Sequence, residues 1–317
     1  MIKGYFSLSV SNHNTAKERK LTMSDYILSC CSTADISQEH FKERNINCVY
    51  FKFSLDGTEY TDDLGKTIPF DEFYEKMANG SVTKTSQPNT EDYIESFEPY
   101  LEAGKDIIHV CLSSGLSGAI NSANIAKDIL EDKYPDRKIF IVDSLGASSG
   151  YGLLVDNMAN LRDSGMTIED LYNWSITNRL YLHHWFFSTD LTFYVKGGRI
   201  SKTSGAIGGI LGICPLLNMN NEGKLIPRSK IRTKNKVIHE IVKMMEQHAY
   251  KGHKYNRKVY ISHSSCYEDA RKVADLVEAT FPEMKDKVLI NSIGTTIGSH
   301  TGPGTVALFF WGDERTE

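Results

Sequence analysis

Long apolar runs are missing from this 317-residue chain. No stretch approaches the ~18 consecutive apolar residues that a membrane-spanning helix requires, and the longest candidate, 207–217, is interrupted by glycine and proline. Charge of one sign is also missing. A formal net charge of −4 leaves no electrostatic footprint for nucleic acid. Cysteine is sparse and unpatterned: Cys30, Cys31, Cys48, Cys111, Cys214 and Cys266 form no CxxC motif. That excludes the common zinc spacings and a disulfide framework, and no metal or cofactor is expected. Several of these cysteines lie in apolar runs, so we read them as reduced, buried thiols in a cytoplasmic protein. Residues 1–22 are polar and lack the apolar core of a secretory signal; with a second methionine at Met23, they read as a disordered extension.

Catalytic signatures are absent too. No G-x-S-x-G elbow occurs, since Ser117 is followed directly by Gly118. No Walker-type phosphate loop occurs, and no Gly-x-Gly-x-x-Gly follows the first strand.

What is present is an alternation of strand and helix patterns. Apolar runs at 25–30, 47–53, 106–111 and 138–142 read as strands, and 70–77, 90–101, 119–130 and 151–162 as helices. Asn89 or Thr90 can cap the 90–101 helix, and Pro99 should kink it or end its regular part. The second half repeats the theme. Helices are predicted at 167–178, 234–248 and 268–280. Strands are predicted at 182–188, 259–262, 288–290 and 304–311, with a hairpin of 213–219 and 224–230. The expected fold class is α/β, as two α/β domains: 23–170 and 171–317, after the extension 1–22. A cleft between them is a default ligand site.

Five small clusters stand out: Cys31-Ser32-Thr33-Ala34-Asp35, Thr85-Ser86-Gln87-Pro88, the turn Ser113 to Gly118, Gly197-Gly198-Arg199-Ile200-Ser201, and His300-Thr301-Gly302-Pro303-Gly304. Each alone has an ordinary explanation. Ser and Thr before a helix are caps, Gly-Gly is a turn, and a single His in a Gly-rich loop is a solvated side chain. Their recurrence at strand-to-helix junctions is the signal. Hydroxyls and helix N-terminal N–H groups supply donors for an anion, while bases and metal ligands are scarce. That balance favours binding an anion over transforming it. Two other readings stay open. One is an enzyme acting on a small phosphorylated or carboxylated substrate, with Ser114 or Ser117 as nucleophile and His300 as base. The other is a regulatory protein whose ligand is a signal.

In this order the clusters (Ser-Thr-Ala-Asp, TSQP, LSSGLSG, GGRIS and HxGPG) resemble the DegV family of fatty-acid-binding proteins, from about Met23 to the end of the chain. The resemblance implies a two-domain protein of bacterial type holding one long-chain fatty acid in a buried tunnel, its carboxylate near the domain interface. It also implies a partner, a fatty acid kinase that converts the presented acid to an acyl phosphate, so that this chain is a carrier and not the enzyme. Carried onto this sequence, the resemblance implies carboxylate contacts from Thr85 or Ser86, from Ser113, Ser114 or Ser117, and from His300, with Thr85 and Ser114 as the best pair and Arg199 and Thr33 as head-group or partner contacts. Tunnel lining is expected among Phe186, Phe187, Leu191, Phe193, Ile207, Ile210, Leu211 and Ile213. Two positions depart from the family's usual pattern: Cys31 stands where an Asp is usual, and Cys214 stands where a Lys precedes the proline.

Overall fold

The computed structural model describes residues 26–201 and 212–316; the predicted extension 1–22 and the tunnel candidates Ile207, Ile210 and Leu211 lie outside these residues. The chain runs through β1 (Tyr26–Cys31), α1 (Gln38–Glu43), β2 (Ile46–Val49), β3 (Lys52–Leu55), β4 (Thr58–Thr61), α2 (Phe70–Ala78), β5 (Thr83–Ser86), α3 (Thr90–Glu102), β6 (Asp106–Cys111), α4 (Ala119–Lys133), β7 (Ile139–Asp143), α5 (Ser148–Asp163) and α6 (Ile168–Asn178). It continues through β8 (Leu182–Ser188), α7 (Thr192–Lys196), β9 (Ile213–Met219), β10 (Leu225–Arg232), α8 (Lys234–His248), β11 (Val259–His263), α9 (Tyr267–Thr280), β12 (Val288–Ser292), α10 (Thr295–Thr301) and β13 (Thr305–Trp311).

The first half builds a parallel sheet in the order β2-β1-β6-β7, with Leu28 between Ile46 and Ile108. Its strands are apolar on both faces because helices cover both, as parallel crossovers require. The second half builds a six-stranded sheet in the order β10-β9-β8-β13-β11-β12, antiparallel except for the β11–β12 pair. Helix α5 packs between the two sheets, touching β1 on one side and β8, β11 and β13 on the other. The architecture is the mixed α/β arrangement expected from the alternating patterns.

Two local readings are corrected. The run 47–53 is not one strand. β2 ends at Val49 and β3 begins at Lys52, in different sheets. The chain turns out of the parallel sheet at Phe51, whose N–H donates to Ser32 Oγ (3.1 Å) and whose carbonyl accepts from Asp62 N (2.9 Å). Those bonds take the place of ladder bonds. Helix α3 also runs past Pro99 to Glu102 and ends at Gly104, whose φ is +75°. Pro99 lies in the last turn, where only one N–H bond is forfeited. The predicted N-terminus holds: Asn89 accepts from Asp92 N, and the Asp92 side chain accepts from Asn89 N, forming a capping box.

The short antiparallel sheet β4-β3-β5 has no local apolar alternation strong enough to announce it. It rests on its own small core of Phe53, Leu55, Phe73 and Met77. Through α10, which packs on β3 and β5, it brings the first half of the chain against the second.

Candidate functional site

A cavity of about 470 Å³ lies where the two sheets face each other. Its wall is drawn from both halves. Leu112, Leu116 and Ala147 come from the ends of parallel-sheet strands and the turns after them. Phe186, Ala307 and Phe309 come from β8 and β13, and Ile293 and Ile297 from the start of α10. The volume falls in the usual range for a small-molecule site, and the wall is largely apolar. The parallel strands end at this cavity, as ligand sites in open α/β sheets commonly require.

One side of the cavity is polar. Thr85, at the end of β5, meets His300, in the last turn of α10, with Oγ1 and Nε2 2.8 Å apart. The HxGPG motif is thus not a free loop at its first residue: His300 is helical, and the glycines follow. Among the described residues, His300 Nδ1 is buried without a hydrogen-bond partner. Burial, and to a lesser degree the charge of Arg199, pushes the His300 imidazole down to about 4, so it is neutral at pH 7. A neutral imidazole bonded to a hydroxyl leaves one donor unused in either tautomer: the Thr85 O–H when Nε2 donates, or Nδ1–H when Thr85 donates.

Around this pair lie Ser86, Gln87, Ser117 and Arg199. Ser117 Oγ accepts from Ala119 N (3.2 Å), in the first turn of α4, and donates to Gln87 Oε1 (3.4 Å). Arg199 donates to Gly197 O (2.5 Å) and Leu116 O (3.1 Å). Two of its five N–H groups are so used, and among the described residues it pairs with no carboxylate. Partial burial lowers its affinity for its proton without removing the charge. Gly197 is needed for close packing: a Cβ there would lie 2.2 Å from His300 Nδ1. Its neighbour Gly198 adopts φ +72°, in the left-handed region. The Gly-Gly pair thus seats both His300 and Arg199.

Of the residues singled out in the sequence, Thr85, Ser86, Ser117, His300 and Arg199 come together at the cavity. Three do not. Ser113 is buried with its hydroxyl donated to Gly223 O (2.8 Å), tying the turn after β6 to the β9–β10 hairpin. Ser114 is exposed, its N–H donated to Asp143 Oδ1 (3.1 Å). Thr33 is buried against Tyr151, with Oγ1 and OH 2.7 Å apart, outside the cavity wall. The hydroxyl-rich turns therefore divide their work. The first hydroxyl of the turn, Ser113, ties two backbone segments together, and the last one, Ser117, reaches the cavity. Among the described residues no hydrogen bond joins His300 to Ser114 or Ser117, so a nucleophile–base pair is not assembled.

The Ser-Thr-Ala-Asp segment braces the interior. Asp35 accepts from Ser148 Oγ (2.5 Å) and Gly294 N (3.0 Å), and Asp62 accepts from Thr295 Oγ1 (2.8 Å) and Ser32 Oγ (3.2 Å). Burial pushes both carboxyl groups up from their ordinary values. Cys31 is buried 3.5 Å from His109 Nε2 and 3.6 Å from the Tyr93 hydroxyl, and burial raises its thiol to about 12. An uncharged neighbourhood of this kind suits a thiol. Several polar wall residues were missed from the sequence: Ser148, His184, Thr296 and Thr305. His184 had no local signal, being one residue in an apolar strand. Of the expected tunnel residues Phe186 lines the cavity, whereas Phe187 faces the other side of β8 and is fully buried.

Among the described residues no helix is long and apolar enough to cross a membrane. Residues 31–313 match the model of the DegV family, described as uncharacterised proteins. The chain is 36% identical over 293 residues to a DegV domain-containing protein of Clostridium perfringens, covering 92% of this chain and 99% of that one. It is similar in structure to a stearic acid-binding protein of Eubacterium ventriosum, at 27% identity and a TM-score of 0.80 over 90% of this chain and 97% of the other. It also shares its fold with the Streptococcus pneumoniae fatty acid kinase B3 protein loaded with linoleic acid, at 22% identity and a TM-score of 0.79 over 91% and 99% of the two chains. With a family model spanning most of its length, and with four of its five motif clusters contributing to the wall of one cavity, the chain belongs to the DegV family.

Proposed function

We propose that this protein is a cytoplasmic carrier that holds one long-chain fatty acid in the cavity and presents its carboxylate to a partner kinase, without itself catalysing a reaction. The observation that carries the reading is the pairing of a largely apolar cavity with one polar side built from Thr85, Ser86, Ser117, His300 and Arg199. Solved relatives that bind fatty acids, such as the Eubacterium ventriosum protein, add support.

The physical requirements of such a ligand match what these residues offer. Burying the ~15 apolar carbons of a ~16-carbon acid at ~0.8 kcal/mol each contributes at most roughly 12 kcal/mol. A carboxylate taken out of water must be fully hydrogen-bonded or facing a cation, because an uncompensated buried charge is prohibitive. A carboxylate beside the Thr85–His300 pair selects the tautomer in which Nε2–H donates to Thr85 and the Thr85 O–H donates to the ligand. Ser86 and Ser117 hold further hydroxyls at the same side, and Arg199, which pairs with no carboxylate among the described residues, supplies positive charge. Arg199 also borders a second concavity shared with Gly198, Lys224 and Pro227, a route by which a partner could reach the head group.

The test is extraction of purified protein with organic solvent, with the released material identified by mass spectrometry. One long-chain fatty acid per chain supports the carrier reading. Absence of lipid, together with no uptake by the delipidated protein, overturns it. Kinase presentation is tested separately, by asking whether a fatty acid kinase phosphorylates the bound acid and loses that activity with Arg199→Gln.

A further inference from the structure

His183 and His184 are consecutive on β8, so their side chains take opposite faces of the sheet. His184 lines the cavity; His183 faces away from it. On that far face His183 meets two residues from elsewhere in the chain. Its Nε2 lies 3.0 Å from Asp313 Oδ1 and 2.9 Å from the Asp313 carbonyl oxygen. His248, the last residue of α8, places Nδ1 3.1 Å from the same Oδ1. The three donor atoms all lie within 4.8 Å of one another.

We propose that His183, His248 and Asp313 form a binding site for a divalent transition-metal ion of the Zn²⁺ class, independent of the fatty-acid cavity. Imidazole nitrogens with one carboxylate oxygen are a donor set suited to Zn²⁺ and its neighbours, and ill suited to Ca²⁺ or Mg²⁺. Ligand bonds of ~2.0–2.1 Å in a tetrahedron put the ligand atoms about 3.3 Å apart, close to the two nitrogen-to-carboxylate distances here. The ion takes the place of the two N–H donors that face Asp313, His183 Nε2 and His248 Nδ1, and each imidazole stays neutral by carrying its proton on its other nitrogen.

The backbone holds the ligands in place before any ion arrives. Asp313 N donates to His248 O (3.0 Å), Tyr250 N to Trp311 O (3.0 Å), and Gly312 N to Tyr181 O (2.8 Å). The end of β13, the end of α8 and the start of β8 are thereby fastened together. The rings are oriented by stacking: His183 lies 4° from parallel with Phe310, and His248 lies 19° from parallel with Trp185. The centroids of the two imidazoles are 4.9 Å apart. Gly312 leaves the room this needs, since a Cβ there would lie 2.8 Å from His183 Cδ2. The site is open to solvent on one side: the His183 side chain is 5% exposed, His248 33% and Asp313 61%. An ion can therefore enter, and a water molecule can complete the coordination.

The test titrates the metal-stripped, tag-free full chain with Co²⁺, then Zn²⁺. We expect about one Co²⁺ per chain, with visible d–d absorption that Zn²⁺ abolishes, and a Zn²⁺-dependent rise in melting temperature. Asp313→Asn changes an exposed side chain and His248→Ala a partly buried one, and retained secondary structure and fatty-acid content confirm that each variant is folded. Each should weaken binding by at least about tenfold and remove the thermal shift, with fatty-acid content unchanged. Wild-type protein with no stoichiometric Co²⁺ signal overturns the proposal. So does equal binding by wild type and the His248→Ala/Asp313→Asn double variant, which would leave the trio as a hydrogen-bonded cluster only.

Discussion

Thr85 and His300 lie 215 positions apart and meet with Oγ1 and Nε2 at 2.8 Å. One lies next to the end of a strand of the small antiparallel sheet, and the other in the last turn of a helix seven residues long. Their contact joins the two halves of the chain at the cavity's polar side. It leaves one donor of the pair free at that side.

Replacing that donor should weaken binding without unfolding the protein. Thr85→Val keeps the shape and removes the hydroxyl. A hydrogen bond to a charged group is worth about 1.5–3 kcal/mol, so fatty-acid affinity should drop by roughly 10- to 100-fold. Titration of the delipidated protein with a fluorescent fatty acid measures this. Affinity equal to wild type would place the head group elsewhere.

Arg199→Gln tests the role of charge. The guanidinium interacts with a carboxylate and much less with a hydroxyl, so the variant should lose affinity for a long-chain acid and keep most of it for the matching alcohol. The acid-to-alcohol preference should narrow by about tenfold or more. A parallel loss for both ligands would mean that Arg199 acts through packing.

His300 makes an acid-side prediction with a defined sign. The unfolded imidazole takes up a proton near its ordinary value of about 6.5, whereas the folded one is held down to about 4. Between those values the unfolded state binds more protons, so stability falls as pH drops from about 6.5 to about 4. The size is of order a few kcal/mol. Denaturant melts of the empty protein across that range should show the decline, and His300→Gln should make it shallower by the His300 share, leaving the parts due to the buried His109, His183 and His184. An unchanged slope in the variant would assign the effect to other groups.

Ala307 lines the cavity from the centre of β13. Ala307→Phe should occupy part of the space and shift the bound acids towards shorter chains, with a stability cost of about 1–3 kcal/mol. Native mass spectrometry of protein loaded from a mixture of chain lengths reads the shift. An unaltered distribution would mean that the acyl chain does not pass Ala307.

Much of this architecture is legible locally. The apolar run of β6 and the amphipathic helix α8 are where their patterns put them, because burial on one face or two leaves a direct imprint on composition. The Asn89 cap is legible for a similar reason, since its partner lies three residues away. The break at Phe51 was not, because the bonds that divert the chain come from Ser32 and Asp62. Nor was β5. Its Thr-Lys-Thr-Ser run is polar, and it becomes a strand because β3 pairs with it.

The same divide runs through the site. Small residues, hydroxyls and glycines clustered after strands are a property of the sequence, and four of the five clusters contribute residues to the cavity wall. Which hydroxyl reaches the cavity is a matter of direction: Ser113 turns to Gly223 and Ser117 to the cavity, although they share one turn. Contacts such as Thr85 with His300, or His183 with His248 and Asp313, join residues separated by 65 to 215 positions. The sequence by itself determined the alternation, the family motifs and the kinds of donor available, because these depend on near neighbours. Only the tertiary structure decided which donors converge, because packing the two sheets around α5 sets distances that no local pattern encodes.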